Sequence, residues 1–234
     1  MIDFTEAFKL AFNLIIKIDS GLAEIVALSL QISFAAVFIA SLIGLPVGAM
    51  LAIFRFPGRS IIVVILNALM GLPPVVVGLI VYLLLSRSGP LGTLGLLFTP
   101  TAMIIAQVIL IMPIIAALTR QSISSLWLQY SDLFKSIGTG PLLTITTLLW
   151  DNKYSLVTIL LAGFGRAIAE VGAVMIVGGN IDHVTRVMTT TIALETSKGD
   201  LSLALGLGII LLIIALSVNI AAHLINEITL KPKK

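Results

Sequence analysis

Long apolar runs separated by short polar connections dominate the chain. Residues 25–54, 60–86 and 101–119 contain no charged side chain, and two further apolar runs follow at 154–181 and 201–226. A helix of ~20 residues crosses the hydrocarbon core of a bilayer, so each run has about the required length. Backbone groups in lipid must be satisfied within the segment itself, which favours helices. The pattern predicts an all-α integral membrane protein with about five transmembrane helices.

The first 20 residues follow a different pattern. Phe4, Phe8 and Phe12 recur at helical spacing, while Lys9 and Lys17 fall mostly on the other side. This arrangement predicts an amphipathic helix in the membrane interface rather than a cleavable signal. We therefore divide the chain into an N-terminal amphipathic segment (1–20), a transmembrane domain (21–228) and a basic tail (229–234).

Two consecutive prolines interrupt the second apolar run. Pro73 and Pro74 have no backbone N–H and must break the helical hydrogen-bond ladder. Within a membrane, the freed carbonyl groups need partners in protein or water. The dipeptide therefore predicts a helix break beside a cavity or gate, and the alternative is a kink that serves packing alone. Gly44, Pro46 and Gly48 predict a kink late in the first helix.

The fourth run contains two ionisable residues near its middle. Arg166 and Glu170 are four positions apart, which on a helix places both side chains on one face within pairing distance. Ionisable residues at bilayer depth usually face a bundle interior or a water-filled path. The pair therefore lies either at a translocation path or in a structural contact that fixes packing. Nearby glycines allow close approach of other backbones: Gly163, Gly165, Gly172, Gly178 and Gly179.

Composition excludes several classes of protein. Of the 234 residues, 59% are hydrophobic and 11% are charged, whereas soluble domains have about 25% charged residues. The chain has no cysteine, and His183 and His223 are far apart, so we expect no metal site. There is no GxxxxGK[ST] phosphate loop and no nucleophile–base constellation. We expect no catalytic residue, no cofactor and no nucleic-acid partner, and any energy must come from another subunit.

The distribution of basic residues predicts the orientation. With Arg166 set aside, eight basic residues lie on one side of the five predicted spans and five on the other. The richer side is cytoplasmic by the positive-inside rule, which puts the N-terminus outside and the C-terminus in the cytoplasm. The cytoplasmic set is Arg55, Arg59, Arg120, Lys135, Lys153, Lys231, Lys233 and Lys234, and the external set is Lys9, Lys17, Arg87, Arg186 and Lys198.

The longest cytoplasmic segment, residues 120–153, is predicted to carry a short helix. Ser131 suits its N-cap, and Asp132 suits the positive end of its dipole. Leu133 and Phe134 give it an apolar face, and Gly138 ends it. A helix this short has no core of its own, so the apolar face needs a partner groove. The alternative is a helix folded back on the bundle.

This segment resembles the coupling loop of ABC importer permeases, whose consensus is Glu-Ala-Ala, three residues and Gly. Asp132, Leu133 and Phe134 occupy the Glu-Ala-Ala places and Gly138 the glycine, whereas Trp150 replaces a later consensus leucine. The runs at 72–78 and 163–173 resemble the molybdate-type permeases. Gly178-Gly179-Asn180-Ile181, with Thr185-Arg186 and Met188-Thr189-Thr190 beyond it, is similar to the tungstate-specific branch (TupB-like) of the molybdate, tungstate and sulfate importers.

The resemblance implies the permease of an ATP-driven importer for tungstate, with molybdate as the close competitor, in the inner membrane of a bacterium or archaeon. It implies a second copy of the chain, two cytosolic ATPase subunits that dock on Asp132–Gly138, an external binding protein and surrounding lipid. The alternatives are another oxyanion, such as molybdate or sulfate, an ion-coupled secondary transporter, and a membrane scaffold that transports nothing. The candidate path or gate residues are Pro73, Pro74, Arg166, Glu170, Gly178, Gly179, Asn180, Thr185 and Arg186.

Overall fold

The computed structural model describes Ile16 and residues 20–230, with side chains as far as Ile225. The predicted amphipathic helix at 1–20 therefore falls almost entirely outside the described residues, as does the basic tail beyond residue 230. Both stay predictions.

Within the described residues the chain is entirely helical and turn-like, with no strand. It forms nine α-helices, and a short 3-10 helix at Gly92–Leu94 lies between the third and fourth. In chain order the helices are α1 (Ser20–Ile53), α2 (Arg59–Leu69), α3 (Pro74–Leu85), α4 (Pro100–Ile137), α5 (Pro141–Asp151), α6 (Lys153–Ile168), α7 (Gly172–Gly178), α8 (Met188–Lys198) and α9 (Leu201–Leu230).

Three of these helices, α1, α4 and α9, are long and apolar enough to cross a membrane by themselves. Two pairs, α2 with α3 and α6 with α7, meet the same criterion only when taken together, because each is bent at a break of four residues or fewer. Three single helices and two broken pairs account for the five predicted spans. The prediction of an all-α membrane protein is confirmed.

The described residues divide into two compact units. Unit 1 contains residues 20–36, 73–107 and 165–217. In this unit α3 and α7 approach closely through small residues, since a Cβ atom added to Gly78 would lie 2.8 Å from Cα of Ala173. Likewise, a Cβ atom on Gly172 would lie 2.8 Å from Cγ2 of Val75. Small residues that let helix backbones touch are typical of packing inside membranes.

Unit 2 contains residues 37–72, 108–164 and 218–230. In this unit α1 contacts α4 through Gly44 and Gly48, which are spaced as a GxxxG motif. A Cβ atom on Gly48 would lie 2.4 Å from the carbonyl oxygen of Ala116. A second contact between these helices is an apolar cluster that also includes α5: Ala49, Ala52, Ile53, Ile123 and Leu148.

The structure corrects two predicted helix boundaries. No separate helix begins at Ser131, because α4 continues without interruption from Pro100 to Ile137. Polar residues such as Arg120 do not end a helix, so α4 extends past its apolar part. The fourth span is likewise two helices rather than one. The predicted stop at Gly138 is confirmed: its φ of +69° lies in the left-handed region that favours glycine.

Candidate translocation site

The break between α6 and α7 contains the buried carboxylate of Glu170. Because α6 ends at Ile168 and α7 begins at Gly172, Glu170 lies outside both helices and not within one continuous helix as predicted. The residue is 4% exposed, and its Oε1 accepts a hydrogen bond of 3.1 Å from the backbone N–H of Ala173. This bond satisfies one of the N–H groups that the first turn of a helix leaves unpaired. The carboxylate therefore fixes the start of α7.

The predicted contact between Arg166 and Glu170 is confirmed. Nη1 of Arg166 lies 2.5 Å from Oε2 of Glu170, so both carboxylate oxygens have partners. A buried charge requires such compensation. The two side chains differ in environment, because that of Arg166 is 37% exposed while that of Glu170 is buried. The role of the pair in translocation stays a prediction.

Two more side chains bind the backbone of this break. Nε2 of Gln107, from α4, donates to the carbonyl oxygen of Ala167 at 3.1 Å. The hydroxyl of Thr189, from α8, donates to the carbonyl oxygen of Glu170 at 2.7 Å. Carbonyl groups at the end of a helix lack partners within the helix, and these bonds supply them. Gln107 was not predicted from the sequence, although a lone amide in the charge-free run at 101–119 was a usable signal.

A small polar cavity adjoins the break. It is lined by Ser29, Ser33, Gln107, Glu170 and Thr189 among others, and its volume of about 10 Å³ is close to that needed by one water molecule. Oε1 of Gln107 is buried and has no hydrogen-bond partner among the residues that the structure describes. This acceptor is therefore available to a small donor.

The break between α2 and α3 is built differently. After α2 ends at Leu69, the backbone N–H groups of residues 70–72 each bond to the carbonyl three positions earlier. Pro74 then occupies the first turn of α3, where its missing N–H is not needed. The predicted break at Pro73 and Pro74 is confirmed, and its role as a gate stays a prediction.

The connection from α7 to α8 contains the other predicted path residues. Gly178 ends α7, Gly179 has φ +70° and Asn180 has φ +51°. The hydroxyl of Thr185 is buried, accepts a hydrogen bond from the N–H of Ile181 and donates to the carbonyl of Gly178 at 2.6 Å. Both of these bonds are internal to the connection, so Thr185 stabilises its fold. A direct substrate contact by these residues stays a prediction.

Charged side chains connect the same segment to the start of α1. Nη1 of Arg186 lies 2.8 Å from Asp182, and Nδ1 of His183 lies 2.8 Å from Oε2 of Glu24. The hydrogen bond from Glu24, together with the negative charges of Glu24 and Asp182, raises the pKa of His183 above its ordinary value of 6.5, and the Arg186 cation opposes this rise. The segment is thus joined to α1 by a contact that is strongest when His183 is protonated.

The predicted coupling residues have unequal exposure. Asp132 and Leu133 project from the last turns of α4, and Leu133 is 54% exposed. Phe134 is only half-buried and packs on the ring of Trp127, with ring centroids 6.2 Å apart. Ile137, which the sequence also placed on this apolar face, is exposed, and two exposed apolar side chains beyond Gly138 were not predicted: Leu142 and Leu143.

These observations define a class of protein. The chain has three apolar helices of membrane length, two broken helix pairs, and at one break an ion pair whose carboxylate is buried. Discontinuous membrane helices with polar groups at the break are characteristic of transport proteins.

The family follows from comparison with known sequences. Residues 44–230 match the family described as "Binding-protein-dependent transport system inner membrane component", and the chain belongs to that family. The predicted resemblance to ABC transporter permeases of the molybdate, tungstate and sulfate type is confirmed.

Three relatives align with most of the chain. It is 40% identical to the tungstate uptake system permease protein TupB of Peptoclostridium acidaminophilum, over 95% of this chain and 97% of the relative. It is 38% identical to TupB of Campylobacter jejuni, over 93% and 91% of the two chains. A probable anion ABC transporter permease from Haloferax volcanii is 43% identical over 85% and 88%.

The fold is also that of a solved transporter. A chain of the MetNI methionine ABC transporter, in an inward-facing conformation, superimposes with a TM-score of 0.71 over 92% of this chain and 97% of that one. The sequence identity is 17%, so this likeness concerns the fold alone.

Proposed function

We propose that this chain is the permease of an ATP-driven ABC importer for tungstate, with molybdate as the close competitor. Two copies form the path, two cytosolic ATPase subunits drive it, and an external binding protein delivers the anion. The observation that carries this proposal is the alignment, over nearly the whole chain, with two permeases named for tungstate uptake.

The chemistry of the break between α6 and α7 agrees with an anionic cargo. Arg166 is a partly exposed guanidinium, which can donate hydrogen bonds to the oxygens of a tetrahedral dianion. Its charge is already compensated by Glu170, so its affinity for an anion is low. A path must release what it binds, and a compensated cation suits that need.

The segment Asp132–Gly138 is the proposed docking site of the ATPase. Leu133 and Ile137 are exposed on the last turns of α4, and Leu142 and Leu143 are exposed on the first turn of α5. Apolar side chains of short cytosolic turns lose water when they enter a groove of a partner. Nucleotide must favour one conformation of the permease through this contact if it is to drive transport.

The proposed topology has the N-terminus outside and the C-terminus in the cytoplasm. Because the chain has no cysteine, single cysteines at Ser88 and Lys234 give unambiguous labels. We expect an impermeant thiol reagent to reach Ser88→Cys from outside and Lys234→Cys only from the cytoplasmic side. Labelling of both from the same side would refute the topology.

Reconstituted transport tests the function. Proteoliposomes that contain the permease and its ATPase should take up tungstate only when ATP and the binding protein are both present. Leu133→Asp should abolish this uptake, whereas Leu94→Asp, at an exposed residue of the 3-10 helix between α3 and α4, should not. Uptake of sulfate but neither tungstate nor molybdate would overturn the substrate, and uptake without ATP would identify an ion-coupled transporter.

A further inference from the structure

Four elements of unit 1 enclose the small polar cavity beside the break between α6 and α7. Its polar lining has a residue from each of them: Ser33 of α1, Gln107 of α4, Glu170 of the break and Thr189 of α8. Each of these residues is at most 7% exposed. The cavity volume of about 10 Å³ matches a single occupant of the size of water. Such an occupant is part of the folded structure and not of the bulk solvent.

The side-chain amide of Gln107 is paired at one end only. Its Nε2 donates to the carbonyl oxygen of Ala167 at 3.1 Å, whereas its Oε1 is buried and has no partner in the described part of the chain. Exchanging the two amide atoms gives no relief, because two oxygens would then face each other. A buried acceptor without a donor is destabilising, so the site favours a donor that fits the cavity.

The hydroxyl groups of Ser29 and Thr189, which also line the cavity, have no proton to give. That of Ser29 donates to the carbonyl oxygen four positions earlier in α1 at 2.7 Å, and that of Thr189 donates to the carbonyl oxygen of Glu170 at 2.7 Å. A water molecule supplies the missing proton to Gln107. Its other proton can go to the hydroxyl oxygen of Thr189, and its own oxygen can accept from Ser33. Buried water makes about three hydrogen bonds, and this lining offers that number.

The charges around the cavity favour a neutral occupant over a cation. Oxygen ligands that include a carboxylate also suit hard cations. The carboxylate of Glu170, however, is already paired with the guanidinium of Arg166, and its other oxygen accepts from the N–H of Ala173. A cation would therefore be buried without a net negative charge to compensate it, which is unfavourable.

We propose that this cavity holds one ordered water molecule, which donates to Oε1 of Gln107 and accepts from the hydroxyl of Ser33. Ser29 already connects α1 to α8, since its oxygen accepts from the N–H of Met188 at 2.8 Å. The water adds a connection from α1 to α4 and completes the hydrogen bonds of the amide that supports the break. This hydration site does not depend on which anion is transported.

Water-edited solid-state NMR of the full chain in lipid bilayers tests for the water. With isotope-labelled glutamine side chains, the amide signal that disappears in Gln107→Met belongs to Gln107. We expect magnetisation from water to reach this amide in wild type, although the residue is only 4% exposed. Ser33→Val fills the cavity and should abolish the transfer. The matched control is Ser217→Val, at an exposed residue of α9, which should leave it unchanged.

A double-mutant cycle tests the bond to Gln107. Ser33→Val displaces the water and leaves Oε1 of Gln107 without a donor, so the midpoint of thermal unfolding in detergent should fall by about 2–4 °C. Gln107→Met has nearly the same shape as the wild-type side chain and removes the acceptor. Adding Ser33→Val to Gln107→Met should therefore cause no further fall.

Three outcomes would overturn the proposal. The first is the absence of magnetisation transfer from water to Gln107 in wild type, which would show that the cavity is dry. The second is an equal fall of the midpoint for Ser33→Val with and without Gln107→Met, which would indicate overpacking and not a displaced water. The third is a midpoint that falls when choline replaces sodium in wild type but not in Ser33→Val, which would assign the cavity to a cation.

Discussion

The two broken spans reach the same result by different means. The break between α2 and α3 is local: two prolines remove N–H groups, and turn hydrogen bonds satisfy the residues before them. The break between α6 and α7 contains no proline and is held by side chains that are distant in sequence. Gln107 and Thr189 donate hydrogen bonds to its carbonyl oxygens, and Glu170 accepts one from the first turn of the next helix.

The two breaks differ in whether a conformational change can remove them. A proline break persists whatever surrounds it, because the missing donor is covalent. The second break persists only while its hydrogen bonds last, so a conformational change that separates α4 or α8 from it can remove it. If one of the two responds to the transport cycle, we expect it to be the break at Glu170.

The largest effect is expected for the ion pair. Arg166→Ala leaves the buried carboxylate of Glu170 uncompensated, and breaking a buried pair costs about 3–5 kcal/mol. We expect the lower end of that range because Arg166 is partly exposed. Thermal unfolding in detergent should show that Arg166→Ala combined with Glu170→Ala is less destabilising than the sum of the two single changes. The matched control is Asp132 with Lys135, an exposed pair whose coupling free energy in a double-mutant cycle should be near zero. Additive effects at Arg166 and Glu170 would show that the two do not interact.

The next effect concerns the contact of α3 with α7. Gly78→Ala places a methyl group 2.8 Å from Cα of Ala173, a backbone atom that cannot yield without moving a helix. We expect a loss of about 1–3 kcal/mol in the free energy of unfolding, typical of overpacking. Gly208→Ala in α9 is the control, since nothing lies near its added methyl group. A stability equal to wild type for Gly78→Ala would mean that α3 and α7 are not this close.

Thr189→Val tests the support of the second break. The change keeps the volume of the side chain and removes the donor to the carbonyl oxygen of Glu170. We expect a loss of about 1 kcal/mol or somewhat more, because the carbonyl is left buried and unpaired. Thr158→Val is the control, as its hydroxyl donates to a carbonyl within its own helix at an exposed site. Equal effects of the two changes would argue that the break is encoded locally after all.

Pro74→Ala tests the first break, and its effect should be smaller. Alanine fits the first turn of a helix, and Pro73 still interrupts the ladder before it. We expect a change in stability within about 1 kcal/mol, arising mainly from the freer unfolded chain. A loss of several kcal/mol in thermal unfolding would show that Pro74 has a partner beyond its own turn.

The smallest effect is expected at His183, whose side chain is 72% exposed. Because its folded pKa is raised, its contact with Glu24 stabilises the protein fully below pH 6.5 and is lost as the pH rises through the raised value. Hydrogen exchange of residues 181–187 should therefore increase with rising pH beyond the intrinsic rate. Glu24→Gln should weaken this dependence. The same excess in both proteins would exclude the contact as its cause.

The break between α2 and α3 could be predicted from the sequence, and the break between α6 and α7 could not. Two adjacent prolines remove two backbone donors from the helical ladder, so that break could be predicted from local residues. The spacing of Arg166 and Glu170 predicted their contact. The same contact forms whether the helix continues through Glu170 or ends before it, so the spacing did not reveal the helix end. The end depends on Gln107 and Thr189, whose positions follow from tertiary contacts.

The coupling segment, too, could be predicted from the sequence only in part. Gly138 has a local reason to end a helix, and its position was predicted. The start at Ser131 was wrong because a helix need not stop where its apolar part does. Phe134 was expected to face a partner, yet it stacks on Trp127, seven residues earlier on the same helix. That spacing of two turns was the available signal.

The close approach at Gly48 has a consequence for how α1 and α4 attract each other. A Cβ atom built on Gly48 would point at the carbonyl oxygen of Ala116, so the Cα hydrogen in its place points at the same oxygen, the arrangement of a Cα–H···O hydrogen bond, worth about 0.5–1 kcal/mol. Such a bond involves no ionisable group, and inside hydrocarbon no water competes for the carbonyl. The adhesion of these two helices should therefore be indifferent to acidity and ionic strength, in contrast to the connection that contains His183.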